Sequence, residues 1–187
     1  MSAHADSQTF NRIVGIHKPD CEMLMRCDPV PEAPLPGEAE LVAALGSEQT
    51  AEYAMACRSI YEDLRRVIGQ LAGLMILARV TRKIEFVELE QVDNCTKRWT
   101  DAGARIGALK APGPVARHKQ QIEAAHDFCG RVLKTFPQLS SRTDLDVTFD
   151  EMGEHLKQAY QNLSRASSHE AGLVMVDFAN ACCSCGR

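Results

Sequence analysis

Apolar residues recur at alternating steps of three and four positions in four separate stretches of the chain, all of them after Ser47. This spacing places them along one side of an α-helix, as in helices that pack lengthwise against other helices. The four series are Ala54, Cys57, Tyr61, Leu64, Ile68, Leu71, Met75 and Ala78; Val92, Cys95, Trp99, Ala102, Ile106 and Leu109; Val115, His118, Ile122, Ala125, Cys129, Val132 and Phe136; and Phe149, Met152, Leu156, Ala159 and Leu163. The pattern therefore predicts four amphipathic helices.

Residues that begin or end helices flank these four series. Gly46 is typical of a helix stop, and Ser47 is a favourable N-cap for the first predicted helix. Pro114 suits the first turn of the third helix, and Pro137 ends it. The segment 148–151, Thr-Phe-Asp-Glu, matches a capping box and predicts the start of the fourth helix.

The connections between the four predicted helices, at 80–85, 111–114 and 137–147, are short. Short connections make consecutive helices run in opposite directions, so we expect an all-α fold with an antiparallel up-down four-helix bundle. A second capping-box pattern, at 167–170, precedes the segment 171–183, which is apolar on most sides. That segment either extends the fourth helix or folds back as a buried fifth.

The N-terminal part of the chain has a different character. Four prolines fall within the eight residues from Pro29 to Pro36, a density that prevents helix and favours an extended spacer. We expect residues 1–37 to form an extended tail with this proline-rich spacer, and residues 38–187 to form the helical domain.

Composition excludes some classes of partner. Hydrophobic residues make up 45% of the chain, enough for a sizeable core, and the net charge of −4 gives no basis for binding nucleic acid. The longest apolar run, 71–78, is much shorter than the roughly 20 residues that cross a bilayer. The first ten residues lack the pattern of a secretory signal, so we expect a cytoplasmic protein without membrane partners.

Eight cysteines are present, and three of them, Cys182, Cys183 and Cys185, cluster near the last residue. An even number of antiparallel helices would bring this cluster close to the N-terminal tail, which carries His17, Cys21 and Cys27. Four of the six side chains could bind zinc tetrahedrally, although the paired Cys-x2-Cys spacing of zinc ribbons is absent. A redox-sensitive thiol patch, a disulfide between tail and bundle, and unpaired surface thiols are the alternatives.

A second candidate metal site lies inside the predicted bundle. Cys95 and Cys129 each stand 17 residues from Pro112, which would place them at the same level on adjacent antiparallel helices. His126 and His155 fall close to that level and complete a set of soft and imidazole ligands. Core packing of the two cysteines is the competing interpretation.

Signatures of catalysis are missing from the sequence. Glu123 and His126 have the Glu-x-x-His spacing of ferritin-like di-iron bundles, but the required second pair is absent. The sequence leaves two hypotheses open. One is a non-enzymatic bundle that binds a protein partner or a second copy of itself through segment 171–183, with a cysteine-rich end that binds zinc or responds to redox state. The other is a small metalloprotein or metalloenzyme with its centre inside the bundle.

Overall fold

Five α-helices account for most of the part of the chain that the computed structural model describes, which comprises residues 34–81, 89–141 and 144–175. They are α1 (Glu38–Leu45), α2 (Glu48–Thr81), α3 (Leu89–Ala108), α4 (Ala116–Thr135) and α5 (Leu145–Arg165), with 3-10 turns at Gly113–Val115 and Phe136–Ser141. These described ranges contain no β-strand beyond one isolated bridge. The predicted all-α class is confirmed.

The helices of residues Leu35–Met175 pack into one compact unit. Helix α4 lies against both α3 and α5, while α2 contacts α3, α4 and α5, and the short α1 packs on α2. Each long helix therefore has at least two long neighbours among the described helices, which allows its apolar side to be covered.

The core of this unit consists of the residues that the spacing of three and four predicts. All members of the four series are buried except Met75, Trp99, Val115 and His118, which are half-buried. Burying an aliphatic side chain of this kind is worth about 1.5–3 kcal/mol, so the four series together provide the main driving force for packing.

Helix α1 is an element that the periodicity did not predict, because eight residues are too few to display a repeat. Gly37 precedes it, and the Gly37 amide donates to the Glu40 carboxylate at 2.8 Å, which satisfies one of the free amides at the helix start. The helix buries Leu41 completely and ends at Gly46, whose φ of 77° is left-handed. The Ser47 hydroxyl then accepts from the Thr50 amide at 3.2 Å, as predicted for the first residue before α2.

The start of α5 differs from the prediction. The helix begins at Leu145, and its N-cap is Asp144, whose carboxylate accepts from the Val147 amide at 3.1 Å. Thr148, predicted to be the cap, lies inside the first turn and donates its hydroxyl to the Asp144 carbonyl at 2.8 Å. The prediction was wrong because Asp144 offers an equally good capping side chain one turn earlier.

Helix α5 ends at Arg165, and residues 166–175 do not continue it. Ser168 and Leu173 exchange two backbone hydrogen bonds of 2.8 Å, and the Ser168 hydroxyl accepts from the Ala171 amide at 3.3 Å. The second capping-box pattern therefore closes a tight turn and begins no helix. Residues 171–175 are not helical, so over these five residues both the predicted extension of the fourth helix and the predicted fifth helix are wrong. Residues 176–183 lie outside the described part.

Among the described residues, no helix combines the length and the hydropathy needed to cross a membrane.

Candidate functional site

Arg58, on α2, connects the two ends of the described unit. Its guanidinium donates from Nη2 to the Pro36 carbonyl at 2.7 Å and from Nε to the Ala171 carbonyl at 2.9 Å. A guanidinium presents its donors in a rigid fork, so a single side chain can fix two acceptors at a defined separation. The segments that lead toward residue 34 and toward residue 175 therefore start next to each other on α2.

Packing around Gly172 supports the same junction. The φ of Gly172 is 72°, a left-handed value that side chains rarely adopt. A Cβ at this position would lie 2.6 Å from Leu35 Cδ2, so the Leu35 side chain would have to shift to make room for it. The junction formed by Leu35, Pro36, Arg58, Ala171 and Gly172 is called the Arg58 clamp below.

His118 forms a second, partly buried polar arrangement, between α2, α4 and the end of α5. Its Nε2 lies 2.8 Å from the Ala166 carbonyl, and its Nδ1 lies 2.8 Å from the Tyr53 hydroxyl. Because a carbonyl can only accept, Nε2 carries a proton, and in the neutral ring Nδ1 is then the acceptor for the Tyr53 hydroxyl. Burial lowers the pKa of His118, and the hydrogen bond to Ala166 only partly opposes that effect. Burial therefore favours the neutral form of the imidazole.

Trp99 and His126 form a reciprocal contact between α3 and α4. Their rings stack with centroids 4.6 Å apart and planes 7° from parallel. The Trp99 indole donates to the His126 carbonyl at 2.9 Å, and His126 Nε2 lies 3.1 Å from the Trp99 carbonyl. Each side chain thus bonds to the backbone of the other residue. Side-chain atoms of this pair cover two glycines, Gly130 under Trp99 and Gly103 under His126.

The described cysteines Cys57, Cys95 and Cys129 are free thiols with no exposed surface. Burial raises the pKa of Cys57 to about 12, although an interaction with the Tyr53 hydroxyl partly offsets it. Burial raises the pKa of Cys95 to about 11, and burial together with the nearby Cys95 raises that of Cys129. A thiolate is the reactive and metal-binding form of cysteine, so these environments oppose both kinds of chemistry.

The predicted metal ligands fall into two groups in the structure. Every member of the principal set, namely His17, Cys21, Cys27, Cys182, Cys183 and Cys185, lies outside the described residues. Of the alternative set, Cys95 and Cys129 are in the core, His126 is stacked on Trp99, and His155 lies beside Phe128 with ring centroids 5.9 Å apart. Within the described ranges, no three His, Cys, Asp or Glu side chains come together as a metal-binding group.

An ion-pair network lies on the surface between α2 and α3. Asp63 accepts from Arg98 at 2.9 Å and also from Arg105, which donates as well to the Ser59 hydroxyl at 3.0 Å. Burial alone would raise the pKa of the Asp63 carboxyl, but the hydrogen bonds from the two arginines lower it below its ordinary value. The network ties α2 to α3 and leaves Asp63 ionised.

An open groove of about 430 Å³ runs beside this network. Its apolar lining includes Tyr53, Ile60 and Leu109, and its charged lining includes Glu52, Lys110 and the already paired Arg105. The volume is in the range of small-molecule sites, but the charges are of mixed sign and do not converge on one ligand chemistry.

Sequence reasoning missed the roles of Arg58 and Tyr53 and the left-handed backbone of Gly172 in the turn after α5. Arg58 is one of 21 Lys and Arg residues and stands directly after a predicted core position, so nothing in its local pattern marks it. Its role depends on two carbonyls that are 135 residues apart in the chain, a relation that only the fold creates.

Comparison with known proteins adds no relative. No protein-family model, no curated protein sequence and no solved structure matches the chain. Function must therefore be argued from the residues themselves.

Proposed function

We propose that the chain is a non-catalytic helical scaffold whose two cysteine-bearing ends together bind one zinc ion. The observation that carries this proposal is the Arg58 clamp. The Arg58 guanidinium binds the carbonyl of Pro36 at 2.7 Å and the carbonyl of Ala171 at 2.9 Å, so the chain leaves this point toward both cysteine-bearing ends. The ligands would be four of His17, Cys21, Cys27, Cys182, Cys183 and Cys185.

The lengths of the end segments suit this proposal. Cys27 precedes Pro36 by nine residues, and Cys182 follows Ala171 by eleven. The nine residues from Cys27 to Pro36 are the proline-rich spacer, which spans about 28 Å when extended at about 3.1 Å per residue. Thiols on both segments can therefore reach a common point without any change in the helices.

The character of the described cysteines favours the ends over the bundle interior as the place for a metal. Cys57, Cys95 and Cys129 lie in core positions where burial raises the pKa of each thiol. Zinc needs the deprotonated form, so binding there would have to overcome that burial. This argument disfavours the alternative hypothesis of a metalloprotein centre built on Cys95, Cys129, His126 and His155.

For the scaffold we propose the predicted up-down antiparallel arrangement of α2, α3, α4 and α5. Support comes from pairs of contacts between neighbouring helices. In each pair, the contact that lies further along one helix lies earlier along the other, as expected for helices that run in opposite directions. Between α2 and α3, Ser59 contacts Arg105 whereas Val67 contacts Cys95. Between α2 and α5, Tyr61 contacts Leu163 whereas Arg79 contacts Asp150. Between α3 and α4, Leu109 at the end of α3 contacts Lys119 whereas Trp99 contacts His126. Between α4 and α5, His118 contacts Ala166 at the end of α5 whereas Phe128 contacts His155.

Association with a protein partner or a second copy of the chain stays a prediction. The described surface includes apolar side chains of the kind that interfaces cover. Ile76 and Val80 on α2 are 65% and 78% exposed, and Val174, in the segment predicted to mediate association, is 52% exposed.

The zinc proposal is tested by elemental mass spectrometry on protein purified without an affinity metal. We expect about one zinc per chain, because four ligands complete a tetrahedral site. The double variant Cys182→Ser/Cys185→Ser should lose the metal, since it removes two of the three clustered C-terminal thiols. The matched control Cys95→Ala removes a buried core thiol and should retain zinc.

Two outcomes would contradict the zinc proposal. A wild-type protein with no metal and with its terminal thiols free would overturn the proposal. Loss of zinc in Cys95→Ala, with retention in the C-terminal double variant, would place the metal inside the bundle and favour the alternative hypothesis.

A further inference from the structure

The second half of α2 is apolar on its outer side as well as on the side that packs in the core. Between Arg66 and Arg79 the chain carries twelve consecutive residues without a charge. Within and directly after this stretch, Ile76 is 65% exposed and Val80 is 78% exposed, whereas Ala78 is buried. A helix on the surface of a single domain normally has polar residues on its outer side, and a helix that is apolar all round is normally buried. This half of α2 therefore has the character of a helix with a further neighbour.

An open groove of about 310 Å³ lies at the same level of α2, between this helix and the start of α3. Its described lining is uncharged and consists of Gln70, Gly73, Leu74, Leu77, Gln91 and Asn94. A Cβ on Gly73 would meet nothing within 4 Å, so the groove is open at this glycine. Gly73 and Leu77 stand three residues before Ile76 and Val80 respectively, a spacing that makes them neighbours on a helix surface. Protruding aliphatic side chains and an uncharged groove thus lie side by side.

We propose that this surface binds a second copy of the chain, with Ile76 and Val80 of each copy in the groove at Gly73 of the other. The two protruding side chains and the groove together are called the α2 face. In a dimer with twofold symmetry the same surface serves on both copies, so it must be complementary to itself. The α2 face meets that requirement because it carries both the side chains that protrude and the groove that accepts them.

The charges around the α2 face also favour a second copy. At one end Arg66 is paired with Glu62 at 2.8 Å, and at the other Arg79 is paired with Asp150 at 3.2 Å. The residues between the two arginines are uncharged. Two copies of this surface can therefore meet without placing like charges opposite each other, whereas an acidic or basic partner would find no complementary charge on the described residues of the face.

The dimer rests on the association predicted above and not on the zinc site, since no residue of the α2 face is a proposed zinc ligand. Its contact surface differs from the segment 171–183 that the sequence predicts for association. Val174, in that segment, is 52% exposed, so substitutions at the two places distinguish the two surfaces.

Sedimentation velocity of the full chain tests the proposal, with a reducing agent and a metal chelator present so that neither disulfides nor zinc can join two copies. We expect the wild type to sediment as a dimer. Ile76→Glu should weaken the dimer by about a hundredfold, because each loss of an aliphatic contact costs at least about tenfold and occurs twice in a symmetric dimer. Met55→Glu is the matched control, since Met55 is also on α2 and is 41% exposed, and it should remain a dimer.

A second variant tests the groove. Gly73→Leu fills the groove in which the partner's side chains would lie, and it should also separate the dimer. The monomer should keep its fold, because a Cβ on Gly73 meets nothing within 4 Å and leucine favours helix over glycine. Gly107→Leu is the control: Gly107 is an exposed glycine in α3 whose Cβ would likewise meet nothing, and it does not line this groove. Circular dichroism establishes that each variant retains its helices.

Three results would overturn the proposal. A wild type that stays monomeric at its highest soluble concentration would exclude both the α2 face and association with a second copy, and would leave the zinc proposal untouched. A dimer that survives Ile76→Glu and Gly73→Leu but separates in Val174→Asp would leave association standing and place the contact in segment 171–183. Equal weakening in Met55→Glu and Gly107→Leu would show a general effect of charge or size.

Discussion

Gly130 determines how closely α3 and α4 approach each other. A Cβ on Gly130 would lie 2.7 Å from Trp99 Cζ2, a separation shorter than real Cβ contacts. The Trp99 ring is fixed in turn by its stacking on His126 and by its hydrogen bond to the His126 carbonyl. The ring therefore cannot move away without breaking the reciprocal contact.

We expect Gly130→Ala to lower the free energy of unfolding by about 1–3 kcal/mol, the usual cost of overpacking a tight interior contact. Chemical denaturation followed by circular dichroism measures the change. Gly69→Ala is the control, because a Cβ on Gly69, an exposed residue in α2, meets nothing within 4 Å. That variant should gain about 0.5–1 kcal/mol from improved helix propensity. A gain in stability for Gly130→Ala would mean that Trp99 moves freely.

Burial of individual residues was the most predictable property of this chain. Cys57, Cys95 and Cys129 occupy positions of the helical repeat, and all three are completely buried, because the repeat itself reports which side of a helix faces its neighbours. Arg58 and Tyr53 could not be found in the same way. Their roles depend on partners that are distant in the chain, Ala171 and His118 respectively, and no periodicity records such pairs.

At the scale of elements, the long helices were predictable and their ends less so. Helix α2 starts after the predicted Ser47 cap, since a single good capping residue follows a glycine stop there. Two capping residues compete at the start of α5, Asp144 and Thr148, and the earlier one is used. Local sequence identifies both caps but does not rank them; with Asp144 as the cap, Leu145 belongs to the helix and packs against the core.

Substitution of Asp144 tests which cap starts α5. Asp144→Ala should lower the free energy of unfolding by about 1 kcal/mol, because the Val147 amide loses its acceptor and the helix loses a favourable charge at its N-terminus. Glu151→Ala is the control: in the predicted capping box Glu151 would hold a backbone amide, whereas in the structure it is exposed in the second turn. We expect a change below about 0.5 kcal/mol for it. Equal losses in thermal or chemical unfolding would favour the later cap.

The described unit is held together by partly buried polar contacts as well as by its apolar core. The Arg58 clamp, the Asp63 network and the bonds of His118 each join elements that are distant in sequence. The apolar repeat predicted the all-α class, since it depends only on residues that are close together in the chain. The proposed zinc site involves residues outside the described ranges, so it stays a prediction at this scale and depends on the tests above.

His118 gives the unit a specific pH dependence. Burial lowers the pKa of the folded-state imidazole below its ordinary value of 6.5, so the unfolded chain takes up a proton at a higher pH than the folded chain does. Stability from this residue is therefore fully present above the unfolded-state pKa and is lost as the pH falls through the folded-state pKa. Protonation also removes the acceptor lone pair on Nδ1 that the Tyr53 hydroxyl uses.

We expect the free energy of unfolding of the wild type to fall between about pH 8 and about pH 5, and to fall less in His118→Gln, which cannot titrate. His169→Gln is the matched control, because His169 is exposed in the turn after α5, and its profile should follow that of the wild type. Denaturant unfolding at a series of pH values measures all three proteins.

Ionised Asp63 does not contribute between about pH 8 and about pH 5, since its pKa is lowered from 3.8 and its stabilising effect is lost only at more acidic pH. If the free energy of unfolding had the same pH dependence in wild type and His118→Gln, the imidazole would titrate alike in the folded and unfolded chains. The contacts with Tyr53 and Ala166 would then show no energetic preference for the neutral ring.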